Sequence, residues 1–125
     1  MEIMPPSDGW RCCVAMTAQL LAALMLVESG NQADAIGDNG RAIGCLQITR
    51  ACVRDVNRIY GTRYRWPDDC FNRYLSGRIC EQYLSHWCGP DASPEVLART
   101  WNAGPSGHKK KASLKYWRKV KKNLK

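Results

Sequence analysis

The sequence predicts a mainly α fold: one helical domain over residues 1–125, with at most a very small β element around residues 36–48. Three observations lead there. Apolar residues recur at spacings of three and four through most of the chain, the period of a helix face. Starting and stopping signals, such as Ser93-Pro94-Glu95 and Gly61, bracket those stretches. A chain of 125 residues with 45% hydrophobic content suits one core, and no repeat, linker or long strand pattern divides it.

Pro5-Pro6-Ser7-Asp8-Gly9 reads as a turn that starts the first helix, with Ser7 or Asp8 as its N-cap. That helix is expected from about Trp10 to Ser29 and is apolar on nearly every face from Val14 onward, as in the middle of a core. Gly30-Asn31 ends it, so Glu28 falls in its last turn, an expensive place to bury a carboxylate. Gly37-Asp38-Asn39-Gly40 and Gly44 predict turns, and Ala42-Ile43 with Leu46-Gln47-Ile48 predict a short hairpin. Thr49 caps a second helix that reaches about Tyr60, with Val53, Val56 and Ile59 or Tyr60 inward and Gly61 as the stop. Trp66-Pro67-Asp68-Asp69 starts a third. Its inner series is Phe71, Tyr74, Leu75, Ile79, Tyr83, Leu84 and Trp87, and Gly89-Pro90 ends it. Ser93-Pro94-Glu95 starts a fourth helix, to about Trp101, which halts at Asn102-Ala103-Gly104-Pro105. A fifth, about Ala112 to Lys122, turns Leu114, Trp117 and Val120 inward.

The formal net charge of +8 and a pI near 9.3 favour polyanionic partners: nucleic acid, an anionic membrane or a bacterial wall. Charge alone does not choose among them. There are seven cysteines, an odd number, so at least one thiol stays unpaired within the chain. None forms a C-x-x-C pair, and His86 and His108 lack zinc-finger spacing, so neither a metal nor a cofactor is expected. The uncharged run from Val14 to Val27 falls short of the ~20 residues that span a bilayer. Arg11 and Ala33-Asp34-Ala35 have the look of signal-peptide parts, but Glu2 and Asp8 oppose that reading.

Glu28 is the leading candidate for chemistry. Leu24, Met25, Leu26 and Val27 precede it, and a carboxyl held against apolar side chains has its charged form disfavoured. Such a carboxyl can stay protonated near neutral pH and protonate a leaving oxygen, as in glycosidases. Val27-Glu28-Ser29-Gly30, followed by Gly37-Asp38-Asn39-Gly40-Arg41-Ala42-Ile43-Gly44-Cys45-Leu46-Gln47-Ile48, resembles the active-site stretch of goose-type lysozymes and of lytic transglycosylases, both lysozyme-like. Trp101-Asn102-Ala103-Gly104 is similar to their aromatic-Asn-Ala/Gly-Gly motif, and Tyr116 to the tyrosine of their final helix. The four elements occur in order across positions 27 to 120.

The resemblance implies a lysozyme-like domain that cleaves the β-1,4 bond between N-acetylmuramic acid and N-acetylglucosamine in peptidoglycan. It implies Glu28 as acid and then base, Gln47 and Asn102 as sugar-binding residues, and Tyr116 beside Glu28. Ser29 would hydrogen-bond in the cleft, although a helix-end serine is commonly satisfied by backbone. Trp101 either stacks on a sugar or fills the core. Two departures bear on the reaction. Cys45 stands where these families carry an apolar residue, and Thr49 stands where goose-type lysozymes carry a second Asp. Asp38 is left as the one water-activating candidate, and it is equally a natural turn residue. An inverting hydrolase needs a base roughly 6.5–9.5 Å from its acid. A lytic transglycosylase, as the resemblance implies, needs only the glutamate and yields a 1,6-anhydro sugar. The sequence leans to the second route, with Asp38-assisted hydrolysis as the alternative.

Lys109, Lys110, Lys111, Lys115, Arg118, Lys119, Lys121, Lys122 and Lys125 crowd the C-terminus around Tyr116 and Trp117. They suit attraction to an anionic cell-wall surface. The alternative from another class is a small basic nucleic-acid-binding module without catalysis, which leaves Glu28 and the ordered motifs unexplained; no specific nucleic acid is expected. The protein is expected to be a monomer acting in a secreted, periplasmic or virion and host-lysis setting.

Overall fold

Side-chain caps decide where most of the helices begin. The computed structural model describes residues 16–124. Five helices run through them: α1 Ala18–Ser29, α2 Arg50–Tyr60, α3 Arg73–Cys88, α4 Pro94–Ala103 and α5 Lys111–Lys122. Thr17, Thr49, Asn72 and Ser93 each accept a hydrogen bond from a backbone N–H three residues ahead, capping α1 to α4.

The helices expected after Thr49, Pro67, Ser93 and Lys111 are all present, with shifted ends in two cases. The third begins later than expected: Asp68–Phe71 form a short 3₁₀ turn, and α3 starts only at Arg73. Asn72, with its extended backbone and capping side chain, separates the two. The fourth runs on to Ala103, two residues beyond Trp101.

Helix α1 departs furthest from expectation. Its start lies at Ala18, because Thr17 is extended (φ −98°, ψ 161°) and its hydroxyl caps the Leu20 N–H; a helix unbroken from Trp10 does not occur. The proposed caps Ser7 and Asp8 lie outside the described residues. Nor is the helix buried all round. Leu20, Ala23, Leu24 and Met25 are buried, whereas Ala22 and Leu26 face outward.

The β element is present but differently paired. Strand β1 (Ile36–Gly37) runs antiparallel to β2 (Ala42–Ile43), with Ile36 opposite Ile43. Leu46-Gln47-Ile48 contributes a single bridge, Ile43 to Ile48, instead of a strand. Gly44 turns the chain there at φ 80°, and its Cα lies so near the Cys70 carbonyl that a Cβ would overlap that oxygen. The Trp66 indole N–H donates to the Ile48 carbonyl at 3.0 Å, fastening the turn to the loop before α3.

One core joins these elements. Leu20 and Leu24 of α1, Val56 of α2, Ile79 and Leu84 of α3, Leu97 of α4 and Val120 of α5 are all buried in it. Each such side chain stabilises the fold by roughly 1.5–3 kcal/mol relative to exposure. α2 packs on α3, α3 on α4, α4 on α5, and α5 returns to α1. The return of α5 to α1 positions the site. Two expected inner positions of α3 turn outward instead: Tyr74 is 68% and Trp87 38% exposed.

Candidate active site

Glu28 occupies the last turn of α1, where Gly30 in the left-handed region (φ 68°) closes the helix. The opposing surface is α5. From it the Tyr116 hydroxyl donates to Glu28 Oε2 at 2.8 Å, linking residues 88 positions apart. Burial raises the Glu28 pKa from 4.5 to about 7, and the Tyr116 hydrogen bond opposes that rise without cancelling it. Burial, together with the neighbouring glutamate, also pushes the Tyr116 phenol well above its ordinary range, so it remains a proton-bearing donor.

Glu28 lines a cleft of about 440 Å³ together with Asp38, Gln47, Trp101 and Asn102. Four residues nominated from the sequence therefore surround the glutamate. Two of them sit in unusual backbone: Asp38 has φ 51° and Gln47 φ 54°, the left-handed region that non-glycine residues rarely enter. The Gln47 carboxamide N–H₂ donates to the Gly44 carbonyl at 3.0 Å, and its oxygen lies where a Cβ on Gly37 would stand. Asp38 is exposed and paired with Arg41 at 3.4 Å, at the open rim. Trp101 is half-buried, its ring edge-on to Tyr83 at 5.7 Å, so it packs inward while lining the cleft.

Ser29 stands apart. Its hydroxyl donates toward the Cys45 carbonyl at 2.8 Å and lies 3.2 Å from the Met25 carbonyl, and it accepts from the Gln32 N–H at 3.0 Å. These backbone bonds fasten the end of α1 to the turn that carries Gln47, matching the backbone-satisfied alternative for this residue.

Six further residues line the cleft, Ala42, Ile48, Thr49, Cys52, Tyr83 and Gly104, of which three bear on its chemistry. Tyr83 is expected in the core, and Thr49 as a cap standing where goose-type lysozymes carry a second Asp; both line the cleft, as does Cys52. The one sequence signal was position: Thr49 follows Ile48 directly, and Cys52 stands one helical turn on. Burial pushes the Cys52 thiol far above its ordinary range, so it forms a neutral wall and not a nucleophile. The five described cysteines, Cys45, Cys52, Cys70, Cys80 and Cys88, are free thiols. Among the described residues, no three His, Cys, Asp or Glu side chains gather as metal ligands, and no helix is long and apolar enough to cross a membrane.

A helical core with a small two-stranded turn is the arrangement of the lysozyme-like class. Residues 8–124 match the transglycosylase SLT domain, and the chain belongs to that family. The family's activity is peptidoglycan cleavage by lytic transglycosylation. A chain of the crystal structure of Aeromonas hydrophila PliI in complex with Meretrix lusoria lysozyme shares the fold. Its TM-score is 0.74 at 24% identity, over 87% of this chain and 91% of that one. No curated protein matches the sequence.

Proposed function

We propose that the protein is a muramidase that cuts the β-1,4 bond between N-acetylmuramic acid and N-acetylglucosamine by the lytic transglycosylase route. The observation that carries this reading is Glu28: a partly buried carboxyl, raised to about 7, at an open cleft and held by Tyr116. Near neutral pH a large share of such carboxyls is protonated. Glu28 gives its proton to the glycosidic oxygen as the bond to C1 of the muramic acid breaks. The resulting carboxylate then takes the proton of that sugar's 6-hydroxyl, whose oxygen bonds to C1 and closes the 1,6-anhydro ring. Tyr116 holds Oε2, leaving Oε1 for the proton transfers. Gln47 and Asn102 hydrogen-bond the sugar near the cut, and Trp101 supplies an apolar face.

Asp38 supports a second reading, because it lines the same cleft. As base it would direct a water to C1 and give reducing ends by inversion. Its exposed pairing with Arg41 ties it to the rim and makes this the lesser route. The whole chain acts as one catalytic domain and as a monomer, on the wall side of a membrane or during host lysis. Its lysine-rich C-terminal helix is drawn to the anionic wall.

The test is digestion of purified peptidoglycan by wild type and Glu28→Gln, with mass spectrometry of the soluble fragments. Anhydro-muramyl ends from wild type alone are expected. Reducing ends would transfer the role to Asp38-assisted hydrolysis. Fragments from neither protein would overturn the enzyme reading in favour of a basic binding module.

A further inference from the structure

A second concavity lies outside the catalytic cleft. It measures about 550 Å³ and is walled by Trp87 at the end of α3, Asp91 and Ser93 in the following loop, Thr100 of α4, and His108. Helix α4 serves both concavities, with Trp101 and Asn102 on the cleft and Val96 and Thr100 on the pocket.

Aromatic rings connect the two. Trp101 and Tyr83 line the cleft with centroids 5.7 Å apart, and Tyr83 meets Trp87, one helical turn farther along α3, at 6.4 Å. Tyr83 itself is buried, so it braces the wall between the two concavities and brings them side by side. Trp87 is 38% exposed although it was expected to face the core, and the His86 ring stands edge-on to it at 4.7 Å. Beside it stand groups suited to hydroxyls. Asp91 is an exposed acceptor. The Ser93 oxygen accepts from the Val96 N–H, which leaves its own hydrogen to donate. His108 lines the same wall, although its Nδ1 is buried and without a hydrogen-bond partner, so it shapes the pocket and Asp91 and Ser93 are the groups open to a guest. An apolar ring face with a few convergent polar groups is the composition of a saccharide site, and the exposed carboxylate disfavours an anionic guest.

We propose that the Trp87 pocket is a second saccharide-binding site, which receives the neutral sugars of a glycan strand where it extends beyond the Glu28 cleft. The proposal rests on the muramidase reading for the identity of the strand. Trp87 there is a binding residue remote from the cut: it holds long substrates and contributes nothing to short ones.

The test measures binding of N-acetylglucosamine oligomers of increasing length to Glu28→Gln, by titration calorimetry, with and without Trp87→Ala. In parallel, cleavage of long strands and of short fragments is compared for wild type, Trp87→Ala and Trp87→Phe. Trp87→Ala is expected to weaken the longer oligomers roughly tenfold, about 1.4 kcal/mol, and to leave the shorter ones unchanged. Trp87→Phe, which keeps a ring, should recover part of the loss. Unaltered short-fragment cleavage reports an intact fold. Equal affinity with and without Trp87 at every length would overturn the second site, whatever the cleavage result. Absence of cleavage by wild type, with length-dependent binding still lost in Trp87→Ala, would overturn the muramidase reading and keep the second site.

Discussion

Glu28 is held by opposing influences. Burial favours its protonated form, and the Tyr116 hydroxyl favours the carboxylate. For an acid catalyst the protonated form is the active one, so the rate on peptidoglycan should fall as pH rises through about 7. Tyr116→Phe removes the influence that lowers the pKa, so this limb should move to higher pH while the maximal rate drops; a limb that stays put would argue against the contact. Glu28→Gln should reduce turnover by roughly 10²–10⁴-fold, the usual contribution of a general acid. The same burial has a stability signature. Folding raises the pKa from 4.5, so the folded chain binds this proton more tightly than the unfolded chain does. The stability it contributes is complete below the unfolded value and is lost as pH rises to the folded one, on the order of 3 kcal/mol. Glu28→Gln should therefore outlast wild type in urea at pH 8, and the gap should close toward pH 4. Equal denaturation midpoints at pH 8 would contradict a desolvated carboxyl.

Among the elements, the turn carrying Gln47 and the pair α4–α5 hold the site together. Gly37 leaves no room for a side chain beside the Gln47 carboxamide, so Gly37→Ala should displace that amide and lower activity with the fold intact by circular dichroism. Arg99 of α4 binds Glu95 at 2.7 Å, the Ser113 hydroxyl at 2.9 Å and the Lys110 carbonyl at 3.0 Å. These bonds set the start of α5, which carries Tyr116 to Glu28. Arg99→Met should cost about 1–3 kcal/mol and reduce turnover as well, read from thermal melts alongside the digestion assay. Element identity was legible from local chemistry: Thr49, Gly61 and Ser93 stand at α2 and α4 ends where their side chains or backbone freedom require. The start of α1 was not, because the apolar run before Ala18 carries no sign that the Thr17 hydroxyl would cap the helix inside it.

At the scale of the whole molecule, the net charge of +8 is concentrated on one element: Lys111, Lys115, Arg118, Lys119, Lys121 and Lys122 of α5 are all exposed. Attraction between exposed charges is screened over about 8 Å at physiological salt. Binding to intact walls should therefore weaken steeply between low and high salt in a pull-down assay, equally for wild type and Glu28→Gln. Salt-independent binding would assign wall affinity to the cleft instead of the lysines.

The sequence alone determined the helical class, most helix boundaries and the nomination of Glu28, Gln47, Trp101, Asn102 and Tyr116, because periodicity, caps and short motifs are local properties of the chain. It left Ser29 and Asp38 with two readings each, and it placed Trp87 in the core. Tertiary packing supplied their surroundings: Ser29 bonds the Cys45 carbonyl, Asp38 pairs with Arg41 while lining the cleft, and Trp87 emerges beside a second pocket. It also brought Tyr116 to Glu28 across 88 residues, a pairing the resemblance implies but helix periodicity and caps do not encode. The physical reason is that a pKa or a cleft depends on which surfaces meet, and the meeting of α1 with α5 is set by the whole core.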